Sequence, residues 1–540
     1  MMRGFLLAGL VLLATDAKAV DYFVSTNGSD SNLGTSSNAP WLTLGRINQA
    51  RFFPGDAIHF HGGQTFGGTL FLKSSGITTN PIVIDSYGTG PATLSALSNQ
   101  DAINATNQGG FWIRNLSLTN SDPNSTNGCG INLYATNAKG IHFPGVLIQN
   151  VEVAGFGDTG IKAGGAWIAK NPGWDFLWVS HVHSHDNGEG MRTYGYTEAR
   201  YKPEKYAFGS ISVLDSEFDH NNSSGLELCG AGKGVVERSC FHENFSIGGC
   251  WTWGARNIVI QHCISWGNQR SDSTDGFGFD LDGGSQECIV QSCLSYENDT
   301  VGFAIYDYPQ SADTKNNTIR YCISENDVRL DQEWGSFEME PYADTPIMGC
   351  NIVNCVAYLT TRGGTNPVSG FEAYGRDPGF GAPWYTGGIS SCSFRNNVIY
   401  LDGPGHDLRL FTCNTGSISP NQVNLQGNLY YSSSGNTPVS FDGNIFPSFS
   451  KWAGFYPKQE HLGKSSTARL VNPLFLSVGS AYLVNDTALM DIMPCYRPGY
   501  WSPCLGGGLN LKKLFHLDPG YQDFWEIPLS LYGVSNIGAY

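Results

Sequence analysis

Short runs in which apolar and polar residues alternate recur along this chain, and no helical pattern separates them. WIRNLSL, LIQNVEV, WVSHVHSHDN, VERSCFHEN, VIQHCISWGN and IVQSCLSYEN are variants of one another. Each is followed, after a turn, by a second short run that opens on a small residue. These second runs are GINLY (from Gly130), GIKAG (Gly160), GMRTY (Gly190), GLELC (Gly225), GCWTW (Gly249), GFDLD (Gly278), GFAIY (Gly302), SFEME (Ser336) and GFEAY (Gly370). Self-similarity at intervals of about 24 to 35 residues, in strand-length pieces, predicts a stacked solenoid of parallel β-strands. Paired helices are the rival repeat, but the Asn- and Gly-rich breaks leave them no room.

Strand side chains alternate between faces, which sorts each second run. Counting from the small residue, position one reads Ile131, Ile161, Met191, Leu226, Cys250, Phe279, Phe303, Phe337 and Phe371, and position three is apolar apart from Thr193 and Thr252. These face the interior. Position two reads Asn132, Lys162, Arg192, Glu227, Trp251, Asp280, Ala304, Glu338 and Glu372. Position four reads Tyr134, Gly164, Tyr194, Cys229, Trp253, Asp282, Tyr306, Glu340 and Tyr374. Both lists point outward, and coils about 4.8 Å apart turn each into a column. The register at Ser336 rests on serine taking glycine's place.

The repeats, with YFVSTNGSDSNLGTSSNAPWLTLGRINQ near the start, FPGDAIHFHGGQTFGGTL after it and SNIGAY at the end, carry a family likeness. The chain resembles secreted right-handed parallel β-helix proteins of the pectate-lyase-like superfamily over nearly all of its length. The resemblance implies an all-β, right-handed parallel β-helix that handles carbohydrate. It does not select a reaction, because this scaffold carries lyases, hydrolases, epimerases and non-catalytic binders. The implied layout is an N-terminal cap with the first coils over 20–95, the helix proper over 96–440, and a C-terminal cap or extension over 441–540 that shields an open end.

Residues 1–19 read as a secretory signal peptide: Arg3, an apolar run, then Ala17-Lys18-Ala19 before Val20. The expectation is an exported protein, extracellular or periplasmic, with no membrane span. A net charge of −16 argues against nucleic acid. No partner chain is implied, so the protein reads as a monomer. Cysteine-rich exported chains usually form disulfides. Here Cys263, Cys293, Cys322 and Cys355 occupy one site of the repeat (IQHCIS, VQSCLS, IRYCIS, IVNCVA). Parallel side chains are poorly placed for bridging, which predicts a buried ladder of thiols. Cys495 and Cys504, in PCYRPGYWSPC, are the better disulfide candidate.

The outward columns carry the candidate chemistry. Carboxylates interleaved with Trp and Tyr suit a sugar chain, which needs flat faces to stack on and acceptors for its hydroxyls. Asp280 and Asp282, in DGFGFDLDGG, stand mid-strip between Trp251/Trp253 and Ala304/Tyr306, and Ala304 predicts a hollow between Asp280 and Glu338. Carboxylates on one strand at this spacing lie roughly 6 to 7 Å apart, and those two coils apart about 9 to 10 Å. Both overlap the roughly 6.5 to 9.5 Å of inverting glycosidases. Crowding keeps one acid protonated. This favours a glycoside hydrolase needing no cofactor, with Asp280 and Asp282 central and Glu227 and Glu338 assisting. Trp251, Trp253, Tyr306, Tyr194, Arg192, Lys162, Glu340, Glu372 and Tyr374 would hold substrate.

Two other functions use the same residues. In a Ca²⁺-dependent polysaccharide lyase, Glu227, Asp280 and Asp282 would hold the ion and Lys162, Arg192 or Tyr194 would be the base. Against it, Lys162 lies about 14 Å or more from Asp280, and Arg192 faces Glu227. The third is a non-catalytic carbohydrate-binding β-helix. Plainer readings also exist: the aspartates could serve a structural Ca²⁺ site, and Arg192 with Glu227 could be an ordinary surface ion pair. HVHSHD places His181, His183 and His185 on one face, without a nearby Cys or Glu to complete a metal site.

Overall fold

Each repeat closes into one coil. A computed structural model describes all residues except 1–17, 138, 167–169, 196–205, 272–274, 309–310, 331–333, 342–346, 362–366, 375–387, 405–407, 415–422 and 530–534. Most of the signal-peptide segment therefore lies outside the described residues. Strands pair in parallel from Asp21–Val24 on Ala57–His61 through to Leu429–Ser432 on Arg469–Leu470. The fold is the expected right-handed parallel β-helix.

The predicted register holds throughout. Ile131, Ile161, Met191, Leu226, Cys250, Phe279, Phe303, Phe337 and Phe371 follow one another in successive coils and are all buried. Ser336 does replace glycine, since Phe337 pairs with Phe303. Small residues are required there for lack of space. A Cβ on Gly160 would lie 2.2 Å from Ser184 Oγ and 2.6 Å from the carbonyl oxygen of Gly190. One on Gly278 would lie 2.4 Å from Ser295 Oγ and 2.6 Å from that of Gly302.

The other run of each repeat bends midway. Asn115, Asn150, His181, Asp215, Arg238, His262, Ser292, Tyr321 and Asn354 occupy the left-handed region there, with φ between 47° and 55°. The bend makes two half-strands of one run, so each coil has three sides. Cys263, Cys293, Cys322 and Cys355 directly follow bend residues and stack inside as buried free thiols, as expected. Cys495 and Cys504 are also free. The bridge expected between them is not formed; each instead fills an apolar position where the C-terminal extension meets the sheet.

The next corner is held by an amide ladder. Asn221 donates to Asn244 (2.9 Å), Asn244 to Asn268 (3.0 Å), Asn268 to Asn298 (2.8 Å) and Asn298 to Asp327 (2.8 Å). Asp327 is fully buried and also accepts the Ser324 hydroxyl at 2.6 Å. Burial lifts its carboxyl to about 6 despite these hydrogen bonds.

Short elements close the two ends of the coils. At the N-terminal end the helix Leu44–Gln49 buries Leu44 and Ile47, while parallel pairing begins as early as Asp21. At the other end an antiparallel hairpin, Val439–Phe441 with Asn444–Phe446, leads into the helix Phe449–Phe455. Its Trp452 packs on Phe411 and Phe441. The residues beyond run back along the outside of the coils. Tyr296 donates to the Val484 carbonyl, Glu325 accepts the Ala481 N–H, and Arg320 pairs with Asp518. Among the described residues no helix is long and apolar enough to cross a membrane.

The end of the ladder is testable. A carboxyl raised from 3.8 to about 6 by folding stabilises the fold while protonated, and that contribution is lost as pH rises through about 6. Asp327→Asn keeps the shape and removes the charge. Its denaturation midpoint should exceed that of the wild type at pH 8, by up to about 3 kcal/mol, with the gain vanishing near pH 4.

Candidate active site

The outward columns lie on one parallel sheet whose successive strands include Thr159–Gly165, Glu189–Tyr194, Ser224–Cys229, Gly248–Trp253, Phe277–Asp282, Phe303–Asp307, Gly335–Pro341 and Val368–Tyr374. Pairing aligns Lys162, Arg192, Glu227, Trp251, Asp280, Ala304, Glu338 and Glu372 as alternation requires. Pointing away from the core is not the same as meeting solvent, however. Glu227, Asp280, Glu338, Glu340 and Glu372 are each no more than 5% exposed. The open carboxylate strip expected from the sequence is absent. The hollow expected at Ala304 is filled: Phe277, Val301 and Ala304 form an apolar cluster separate from the core, with Trp251, Tyr306 and Trp334 packed on it.

That cluster stands between two groups of acids. The first gathers Glu189, Arg192, Glu227, Asp275, Asp280 and Asp282. Arg192 Nε lies 2.9 Å from a Glu227 carboxylate oxygen in an ion pair, and its Nη1 lies 3.7 Å from Glu189. Because Glu227 is buried, this is not the surface ion pair that the sequence suggested. Glu189 and Glu227 are close enough for each to act on the other's proton affinity. Burial raises both carboxyls; the Glu227 charge raises Glu189 further, and Arg192 opposes the rise in each.

Asp280 sits in the column between Trp251 and Ala304, which accounts for its burial. Burial pushes its carboxyl well above the usual range, and the charges of Asp282 and Asp275 push it further. Its Oδ1 has no hydrogen-bond partner among the described residues. Asp282 is half-buried and accepts the Gly283 N–H at 2.5 Å. Burial lifts it to about 7 against that hydrogen bond, with Asp275 and Glu227 adding to the rise. Trp251 and Trp253 are half-buried and meet edge to face, ring centres 6.3 Å apart. Trp251 Nε1 donates to Ser224 Oγ at 2.8 Å, and Trp253 leans on Tyr308 at 5.5 Å. Partly open indole faces thus stand one strand from the aspartates.

The second group is Glu338, Glu340 and Glu372. Glu338 accepts the Gly335 N–H at 3.3 Å, and its Oε1 has no hydrogen-bond partner among the described residues. Burial raises this carboxyl, and Glu340 and Glu372 raise it further. Its electrostatic neighbours are therefore these glutamates, and the pairing of Glu338 with Asp280 considered from the sequence is not what the fold assembles.

Of the remaining candidates, Lys162 is held by Asp158 at 2.6 Å and lies four strand spacings from Asp280, roughly 19 Å. Tyr194 stacks on Tyr134 at 6.3 Å, and burial raises its phenol. The backbone of Tyr374 pairs with Asn414; its side chain lies outside the described residues. Glu227, Asp280 and Asp282 do not gather as a Ca²⁺ cage. Among the described residues, the metal-ligand atoms that converge within 4.8 Å belong to His183, Glu217 and Asp219. Arg192 already occupies Glu227.

Two members of the first group were not among the site residues expected from the sequence. Glu189 lies at a turn-to-strand junction, where parity carries no information, and its three-residue spacing from Arg192 was the only signal. Asp275 opens the same DGFGFDLDGG stretch but precedes the strand.

No known protein-family model matches this chain. A 79-residue segment, 14% of this chain, is 37% identical to a lacto-N-biosidase of Bifidobacterium longum subsp. longum, and the match spans 5% of that protein's length. Among solved structures, a GH136 lacto-N-biosidase from Eubacterium ramulus aligns over 78% of this chain and 68% of its own, with 14% identity and a TM-score of 0.45. The pectate lyase Pel9A aligns over 96% of both chains, with 16% identity and a TM-score of 0.37. The A-module of the Azotobacter vinelandii mannuronan C-5 epimerase AlgE6 aligns over 78% of this chain and 91% of its own, with 12% identity and a TM-score of 0.44. The β-helix itself is established by the strand pairings above.

Arg192 is the one cation bonded to the Glu189–Glu227 pair among the described residues. Arg192→Met should lower stability at pH 8 by about 1 to 2 kcal/mol, since the carboxylates lose their partner while the guanidinium itself is half-exposed. The loss should shrink near pH 4, where both acids are protonated. Denaturation curves at the two pH values check this.

Proposed function

We propose that this chain hydrolyses glycosidic bonds in a neutral glycan, with Asp280 as general acid and Asp282 as general base. The observation that carries the reading is the aspartate pair beside Trp251 and Trp253. The two carboxyls titrate as a unit. Burial lifts Asp282 to about 7 and pushes Asp280 well above the usual carboxylate range, the charge of Asp282 pushing it further. The pair therefore sheds its protons in two steps, and we assign the first to the more open Asp282. One protonated and one ionised carboxyl, side by side just above neutrality, are the components of acid–base hydrolysis.

Asp280 gives its proton to the leaving glycosidic oxygen as that C–O bond breaks. Asp282 takes a proton from water as the water oxygen bonds to the anomeric carbon from the opposite face, which inverts the centre. Asp280 is 1% exposed, so substrate must part the side chains over it before the leaving oxygen arrives. Trp251 and Trp253 offer the stacking surface. Two groups of buried acids and a net charge of −16 disfavour a polyuronate. The segment shared with a lacto-N-biosidase supports a glycosidase. Export completes the proposal: the secreted chain should begin at Val20, as N-terminal sequencing would show.

The direct test is mass spectrometry of products from a panel of neutral and acidic glycans, with proton NMR of the new reducing ends. Each cut should add one water and release the inverted anomer. Asp280→Asn and Asp282→Asn should each lower kcat about a hundred-fold or more while leaving the fold intact. Wild-type activity should rise as pH climbs through about 7, where Asp282 loses its proton, and fall once Asp280 loses its own. Unsaturated uronate ends would make the protein a lyase. Binding without product would make it a carbohydrate-binding module, and full activity of Asp280→Asn would remove Asp280 from the reaction.

A further inference from the structure

On a different sheet of the same coils, histidines and acids meet. Strand Gly173–His185 runs beside Glu217–Asp219 with His183 opposite Glu217 and His185 opposite Asp219; Cys240–His242 comes next, with His242 opposite Asp219. Alternation therefore sets His183, His185, Glu217, Asp219 and His242 on one outward face. His181 does not join them. It is a bend residue with φ of 52° and is exposed, so the three-histidine face expected from HVHSHD is reduced to His183 and His185.

His183 Nε2 lies 2.6 Å from Asp219 Oδ1, and one ligand atom from each of His183, Glu217 and Asp219 falls within 4.8 Å of the others. Asp219 is buried, His183 half-buried and Glu217 exposed, so the cluster is anchored on one side and open on the other. Surrounding groups fix its orientation. His220 Nδ1 holds the second oxygen of Asp219 at 2.5 Å, and His242 Nε2 holds Glu217 at 3.0 Å. His242 lies flat on Trp266 at 4.0 Å, and His183 stacks on His185 at 4.2 Å. Packing and outer hydrogen bonds orient these side chains as a metal centre requires, and an ion would replace the proton of the direct His183–Asp219 hydrogen bond, parting the two atoms from 2.6 Å to about 3.3 Å.

We propose that His183, Glu217 and Asp219 form a binding site for a divalent transition-metal ion of the zinc type. One imidazole and two carboxylates are a zinc donor set that leaves one position to water. Ca²⁺, which wants six or more oxygens, is poorly served by it. The ligands come from adjacent coils, so the ion ties those coils together. Because the ligands converge only in the folded chain, binding stabilises the fold.

The test uses the full chain, stripped with a chelator and titrated with Zn²⁺ by calorimetry and with Co²⁺ by visible absorption. One ion per chain should bind with proton release, the thermal midpoint should rise with Zn²⁺ concentration, and Co²⁺ should develop ligand-field bands. Ca²⁺ should neither compete nor protect. His183→Ala should abolish the Co²⁺ bands and the thermal gain. Glu217→Gln, at an exposed side chain, should weaken binding at least ten-fold with an unchanged circular dichroism spectrum. Asp280→Asn should bind as the wild type does, which separates this site from the aspartate pair. No saturable one-to-one binding, or full binding by both His183→Ala and Glu217→Gln, would overturn the proposal.

Discussion

Every contact at the two candidate sites depends on the close stacking of one coil on the next. Two devices enforce it. Glycine at the start of most of the short strands lets backbone pass close to the next coil, where a Cβ at Gly160, Gly249 or Gly278 would collide with a serine hydroxyl and a carbonyl. Beside it the asparagine ladder joins coil to coil with side-chain amides that satisfy one another inside the protein. Once these hold, the register of every outward residue follows, and Trp251 has no alternative neighbours to Glu227 and Asp280.

A scaffold determined at so many points tolerates local cost. Asp280, Glu189 and Glu338 are buried acids whose ionisation is opposed by desolvation and by neighbouring charge. A small domain would struggle to hold such groups, because each buried, incompletely bonded carboxyl subtracts from a narrow margin of stability. Here the cost is spread over long ladders of backbone hydrogen bonds and stacked phenylalanines such as Phe279, Phe303 and Phe337. The outcome is a set of carboxyls that keep protons at pH values where exposed ones would lose them, a condition that acid catalysis exploits.

The same stacking rule works differently on the two sheets. On the short-strand sheet, an apolar cluster around Ala304 and the tryptophans removes acids from water and raises their proton affinity. On the bent sheet, imidazoles from adjacent coils compensate the acids. Asp219, between His183 and His220, is pulled down to about 2 chiefly by those hydrogen bonds, against the effect of its burial. A column of acids thus becomes a proton store or a charge-paired cluster according to what the next coil contributes.

Alternation and the recurring small residue determined the fold, the register and the inward ladder of Cys263, Cys293, Cys322 and Cys355, because a stacked solenoid repeats one local geometry and local geometry is written in local sequence. They also placed Asp280, Asp282, Trp251 and Trp253 side by side, and matched Arg192 to Glu227. What they could not supply was the dielectric. Whether an outward carboxyl meets water depends on residues such as Phe277, Val301 and Trp334, which alternation does not assign to the outward columns. The same holds for partners that arrive from outside the strand, Glu189 from a turn and Asp275 from the approach to its strand. The histidine cluster needed the pairing of the next coil, and Cys495 and Cys504 needed the path of the extension. Facing is a property of the strand; burial, proton affinity and ligand convergence belong to the assembled surface around it.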